Sequence, residues 1–138
     1  MSFRERSAWI TLVAILIVTA MYFLHVPRVF DPTIDEWPNI AMALSLGAFI
    51  VIELVAYVVL RLKYPKDART PKDEREAIIE LKALRLAAYV YVAGTFLAML
   101  TPHHGANGLA VALFVFMAFV IAEIVNYVAR IVYYRRGF

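Results

Sequence analysis

The sequence predicts an all-α membrane protein with four transmembrane helices, arranged as two tandem hairpins. Of its 138 residues, 63% are hydrophobic, and the mean hydropathy is +0.72, whereas a soluble domain is usually about 45–50% apolar. A membrane span needs roughly 20 mostly apolar residues. Four stretches approach that length, namely residues 7–24, 39–60, 86–101 and 108–129. One small core cannot bury this much apolar surface, so a lipid bilayer is the expected solvent.

The positions of the basic residues predict how the spans are oriented. Of the 14 Lys and Arg residues, only Arg28 lies in a connection that joins the first span to the second or the third to the fourth. All the others flank the opposite ends of the spans, at the amino end, in residues 61–85 and at the carboxyl end. Because basic residues concentrate in cytoplasmic segments, we expect a multi-pass protein of the inner (plasma) membrane with both termini in the cytoplasm.

Local signals justify each helix in turn. The first span is too long for a removable signal peptide and lacks a small-residue cleavage site, so it is expected to be retained. Pro65 ends the second helix. Thr70 and Pro71 are suited to the cap and the first position of the third helix, which should begin near Pro71 and run unbroken into the membrane. A tight turn with two glycines, residues 102–108, precedes the fourth.

The first turns of the third helix form an amphipathic, charged segment outside the apolar span. Its candidate interaction surface comprises Lys72, Arg75, Glu76, Glu80 and Lys82. This surface could bind a cytosolic regulatory protein or lie against anionic lipid headgroups. A solvated helix extension is the simpler interpretation.

Two glutamates stand alone in apolar segments, in matching context. Glu53 and Glu123 each follow a Phe by four residues and precede a Tyr, Tyr57 or Tyr127, by four residues. The recurrence predicts two tandem hairpins, residues 1–64 and 71–138, joined by a linker at residues 65–70. Since both hairpins would start on the same side, the repeat would be parallel.

An ionisable group inside a membrane is costly, so it usually has a partner or a function. Glu53, Glu123, Tyr57, Tyr127 and Asn126 therefore form the candidate intramembrane polar site. One interpretation is a paired carboxylate site that takes up protons or binds a cation. The other is architectural: a protonated Glu hydrogen-bonded to a neighbouring helix, or a Glu paired with Arg130.

The three histidines, His25, His103 and His104, map to the external ends of the spans. Imidazole is a ligand for haem iron and for divalent transition metals, although a polar loop explains these residues as well, and no cofactor is predicted. The chain has no cysteine, which excludes thiolate–metal and disulfide chemistry.

Three segments resemble a known group of proteins. They are residues 3–10 (FRERSAWI), residues 73–83 (DEREAIIELKA) and residues 133–137 (YYRRG). Together they are similar to a family of uncharacterised small bacterial four-span membrane proteins, often encoded beside a helix-turn-helix regulator. That resemblance implies a membrane partner of a transcriptional regulator or a stress-related membrane protein.

Three functional hypotheses follow. The first is a non-enzymatic regulatory, sensory or structural membrane protein that acts through its cytoplasmic face. The second is a small homo-oligomeric transporter or channel, expected to be a dimer, that uses the paired carboxylates. The third is a haem or metal protein with external ligands. No nucleophile–base pair or phosphate-binding loop is present, so no catalytic residue, no enzymatic activity and no direct binding of nucleic acid is predicted.

Overall fold

The computed structural model describes residues 3–25, 37–65, 73–104 and 108–136. These form four α-helices: α1 (Phe3–His25), α2 (Trp37–Lys63), α3 (Glu74–Leu100) and α4 (Gly108–Arg136). A short 3-10 helix, Thr101–His104, follows α3. All four α-helices are long and apolar enough to cross a membrane. The predicted all-α fold with four spans is confirmed.

The ends of α3 show how local sequence sets its length. The helix starts at Glu74, later than the expected start near Pro71, and Asp73 occupies the cap position. The Asp73 carbonyl accepts from the Ala77 N–H at 3.0 Å, and the Asp73 N–H donates to Glu76 Oε2 at 3.4 Å. At the other end, Thr101 Oγ1 donates to the Ala98 carbonyl at 2.7 Å. The expected cap, Thr70, lies outside the described residues.

In space the helices follow the order α2, α1, α4, α3. Helix α1 packs against both α2 and α4, and α4 packs against α3. The two predicted hairpins therefore meet through α1 and α4, which hold different positions in the predicted repeat.

Small residues form the seam between α3 and α4. Gly94 approaches Ala118 so closely that an added Cβ at Gly94 would lie 2.6 Å from the Ala118 Cβ. Ala87 and Ala98 on α3 and Ala122 on α4 are also buried. Small side chains allow helix backbones to approach closely in a membrane, which makes this the tightest helix pair of the bundle.

Helix α2 lies at the periphery. Only 6% of its membrane-spanning window is buried, against 33% for α1. Leu60 is the sole buried residue of α2 among those whose side chains the structure describes. Most of α2 thus presents apolar surface to lipid, and a few specific contacts hold the helix to the bundle.

One end of the bundle is charged, and three consecutive residues of α1 contact α3, α4 and the end of α2 there. Arg4 Nε lies 2.9 Å from Glu76 Oε2 on α3, and Glu5 Oε1 lies 3.4 Å from Arg135 Nε on α4. The Arg6 guanidinium carbon lies 4.2 Å from the centre of the Tyr64 ring, just after α2. Successive residues of a helix point about 100° apart, so neighbouring side chains reach three different helices. We call this the basic end.

Candidate functional site

The intramembrane site is built around Glu53, which bonds two other helices. Thr11 Oγ1 on α1 donates to Glu53 Oε1 at 3.3 Å. The Tyr127 hydroxyl on α4 donates to the same oxygen at 3.5 Å. Glu53 lies about 12 Å along the helix axis from Arg61, inside the second span. The carboxylate therefore joins α2 to both α1 and α4 within the membrane.

A second chain of polar contacts runs along α4. Arg130 Nε donates to Asn126 Oδ1 at 3.1 Å, and Asn126 Nδ2 donates to Glu123 Oε2 at 3.4 Å. The spacings of three and four residues place these side chains on one face of the helix. Asn126 is only 3% exposed. Arg130, the predicted ion-pair partner, is thus linked to Glu123 through Asn126.

Tyr127 lies between the two carboxylates. Its hydroxyl bonds Glu53, and Glu53 and Glu123 both interact electrostatically with it. The Arg130 guanidinium carbon lies 5.2 Å from the centre of the Tyr127 ring, a distance suited to a cation–π contact. The structure therefore brings five predicted or associated groups, Glu53, Glu123, Asn126, Tyr127 and Arg130, into one network.

Tyr57, the counterpart of Tyr127 in the predicted repeat, has a different environment. It is 46% exposed, and its ring packs edge-on against Phe3 with the centroids 6.5 Å apart. It does line the same cavity as Glu53. The two matching sequence segments thus have unlike surroundings, because α4 is packed on two sides whereas α2 is peripheral.

The carboxylates line different cavities. Glu53 faces a cavity of about 330 Å³ between α1 and α2, together with Ser7 and Thr11. Glu123 faces a smaller cavity of about 30 Å³, together with Thr19 and Ser45. A carboxylate beside hydroxyl oxygens can accept a proton or bind a cation. The same groups can serve as hydrogen-bonding contacts between helices.

The side chains of the predicted cytoplasmic surface point in two directions, towards the bundle and away from it. Glu76 bonds Arg4, and both Glu76 and Glu80 interact electrostatically with Tyr134 of α4, so these two acids face the bundle. Arg75 and Lys82 are exposed. Lys72 lies outside the described residues.

The histidines occupy the opposite end of the bundle. His25 is the last residue of α1, and His103 and His104 lie in the 3-10 helix. Their side chains are outside the described part of the structure, so the predicted haem or metal ligation stays a prediction. Among the described residues, no group of three or more potential metal-ligating side chains is present.

Sequence reasoning missed Thr11 and the pairing role of Arg4 and Glu5. A hydroxyl in an apolar span gives no signal of its own, since it can bond its own helix. The alternation Arg4-Glu5-Arg6 before a span was a usable signal, because opposite charges at adjacent positions point to different neighbours.

The fold and the site define a polytopic membrane protein with a carboxylate-centred polar network inside the bilayer. Comparison of the chain with family models, with curated proteins and with solved structures finds no match.

Proposed function

We propose that this is a non-enzymatic regulatory or sensory protein of the plasma membrane, whose basic end faces the cytoplasm and binds a cytosolic regulatory protein. The proposal rests on the outer face of the first turns of α3. Ile78 and Leu81 are 47% and 58% exposed there, beside exposed Arg75 and Lys82, whereas Ile79 is fully buried. An apolar surface bordered by cations is suited to a partner with an acidic, partly apolar face.

The ion pairs of the basic end support a regulatory role. Glu76 connects this segment of α3 to Arg4, while Arg6 of α1 contacts Tyr64 at the end of α2. Helix α2 is the least buried span and is held within the membrane by Glu53. A displacement of α2 would therefore reach the α3 surface through α1, which is how packed helices transmit a change of state.

The resemblance to proteins often encoded beside a helix-turn-helix regulator favours a transcriptional regulator as the partner. A membrane protein can control such a regulator by holding it at the membrane surface. Release would then follow from any change that alters the binding face.

Site-specific photocrosslinking in cells tests this proposal. A photoreactive amino acid at Leu81 should crosslink to a soluble protein, and charge reversal of Arg75 and Lys82 to Glu should abolish that product. Leu97, which is 67% exposed on the same helix but lies about 24 Å further along it, towards the opposite end of the bundle, is the matched control and should give no soluble product. The proposal fails if positions 81 and 97 behave alike, or if charge reversal leaves the product unchanged.

A second candidate function is supported by the cavity beside Glu53. A carboxylate facing a cavity of about 330 Å³ with three hydroxyl-bearing residues, Ser7, Thr11 and Tyr57, suits a proton- or cation-coupled transporter or channel. Four helices enclose little volume, so such a transporter would be a homodimer.

Flux measurements in liposomes test the second function. The Glu53→Gln/Glu123→Gln double variant should lose proton or cation flux, because an amide cannot exchange a proton at these positions. Tyr57→Phe, which removes an exposed hydroxyl from the same cavity, should retain most of it. Equal flux from wild type and the double variant excludes the transporter.

A further inference from the structure

A second groove between α1 and α2 adjoins the Glu53 cavity, with which it shares Ile10, Ala56 and Leu60, and extends to the basic end. It has a volume of about 720 Å³, and its lining includes Arg6, Trp9, Lys63 and Tyr64 at that end. Tyr64 positions both cations: the Arg6 guanidinium carbon lies 4.2 Å and Lys63 Nζ lies 5.8 Å from its ring centre. The groove therefore has a cationic mouth.

The described part of the chain leaves several of these groups without an acceptor. In the described part of the chain, neither Arg6 nor Lys63 forms an ion pair with a carboxylate. Arg6 Nη1 and Trp9 Nε1 are enclosed and have no hydrogen-bond partner among the described residues. Buried donors are nearly always paired in folded proteins. Lys63 is exposed and Arg6 is partly exposed, so an anion at the mouth can contact the accessible parts of both cations.

The rest of the groove is apolar. Its α2 wall includes Val51, Val55 and Val59, which are 59%, 55% and 54% exposed. From Lys63 to Val51 the groove extends about 18 Å along the helix axis. One leaflet of the hydrocarbon core is about 15 Å thick, so the wall is long enough for one acyl chain in a single leaflet.

We propose that this groove is a binding site for one anionic phospholipid. Its phosphate group binds Arg6 and Lys63 over the Tyr64 ring, and one acyl chain lies along the α2 wall. Charge complementarity at the mouth and apolar surface over one leaflet together identify this occupant. A cationic pocket between membrane helices is a known means of recognising anionic headgroups. The lining of the groove includes neither Glu53 nor Glu123, and no residue of α3.

Quenching of Trp9 fluorescence by brominated lipids tests the site. The chain has two tryptophans, so a Trp37→Phe background leaves Trp9 as the reporter. This protein is reconstituted in phosphatidylcholine bilayers that contain the same small fraction of either dibrominated phosphatidylglycerol or dibrominated phosphatidylcholine. We expect the anionic lipid to be enriched at Trp9 by about fivefold or more, since each cation near an anionic lipid contributes about that factor.

Variants with matched changes of charge show whether the groove causes the preference for anionic lipid. Arg6→Gln/Lys63→Gln should bring the two lipids to equal quenching, whereas Arg6→Lys should keep the preference because it keeps the charge. Arg75→Gln/Arg85→Gln removes two exposed cations of α3 and should leave the preference intact. Circular dichroism confirms that each variant is helical, and if the double variant does not fold, Lys63→Gln alone, at an exposed side chain, should still reduce the preference.

Four outcomes would overturn the proposal. One is equal quenching by both lipids in the wild-type groove. Another is an equal loss of preference in the α3 control, which would indicate general surface attraction. A third is loss of the preference on added inorganic phosphate, which would indicate a free-anion site. The fourth is a concentration-dependent dimer that protects Trp9 from both lipids, which would assign the groove to a second copy of the chain.

Discussion

Substitution of Gly94 by Ala should weaken the α3–α4 seam. The new Cβ would lie 2.6 Å from the Ala118 Cβ and 3.3 Å from the Ala118 Cα. Carbon atoms in good contact are about 3.5–4.0 Å apart, so the two helices must separate locally by about 1 Å. The nearer atom is attached directly to a helix backbone and cannot rotate away. The strain must therefore displace the seam itself.

The expected magnitude follows from two opposing effects. Overpacking of a well-packed interface costs about 1–3 kcal/mol, while replacing Gly by Ala within a helix gains about 0.5–1 kcal/mol. We expect Gly94→Ala to lower the free energy of unfolding by about 0.5–2 kcal/mol.

Gly47 is the matched control. It lies in α2, and a Cβ added there meets nothing within 4 Å. Gly47→Ala should therefore leave the stability unchanged or raise it by up to about 1 kcal/mol. The helix-propensity contribution is common to both variants, so their difference isolates the steric effect at the seam.

The assay is reversible unfolding in mixed micelles with an increasing fraction of denaturing detergent, followed by helical circular dichroism. A second-site change completes the cycle: Ala118→Gly should restore the space and recover most of the stability lost in Gly94→Ala. If Gly94→Ala and Gly47→Ala unfold at the same detergent fraction, or if Ala118→Gly fails to rescue, the close approach of α3 and α4 is refuted.

Three further outcomes are expected in the same unfolding assay. Tyr127→Phe should lower stability by about 0.5–1.5 kcal/mol through loss of its bond to the carboxylate on α2, whereas Tyr57→Phe should have no effect; equal losses would contradict the network. Glu5→Ala should cost up to about 1 kcal/mol, because the Arg135 side chain that pairs with it is 61% exposed and is hydrated when the acid is removed, and a loss that persists in high salt would show that packing, rather than charge, is responsible. Asn126→Ala should cost about 1–3 kcal/mol, as a buried link between two polar groups is lost; an unchanged unfolding midpoint would show that this link contributes nothing.

The four helices were predictable because hydropathy and charge position report directly on membrane spans. Bilayer thickness fixes the length of an apolar segment, and the proline after α2 and the turn before α4 mark the ends of helices. The start of α3 was placed a few residues too early. Thr70 and Asp73 are both good cap residues, and sequence alone does not rank them.

Which helices pack against each other was harder to predict, since the faces of an apolar span have similar side chains. Gly47 and Gly94 are both small residues within apolar spans, and sequence alone does not show which of them lies at a helix contact. A Cβ added at Gly94 would meet Ala118 of α4, whereas one added at Gly47 meets nothing within 4 Å. For the same reason, the sequence did not identify Thr11 as a partner of Glu53.

The arrangement of the helices is better explained by the polar groups of α1 than by its apolar surface. Apolar side chains pack against lipid about as well as against another helix, so hydrophobicity gives little preference among neighbours in a bilayer. The contacts that distinguish one neighbouring helix from another are polar: Arg4 pairs with α3, Glu5 pairs with α4, and Thr11 bonds Glu53 of α2. Arg4 and Glu5 point about 100° apart around α1, while Thr11 lies two turns further along the helix on the same face as Arg4, so direction or depth assigns each side chain to its own partner. Their removal should therefore change which helices meet while leaving membrane insertion, which depends on span hydropathy, intact.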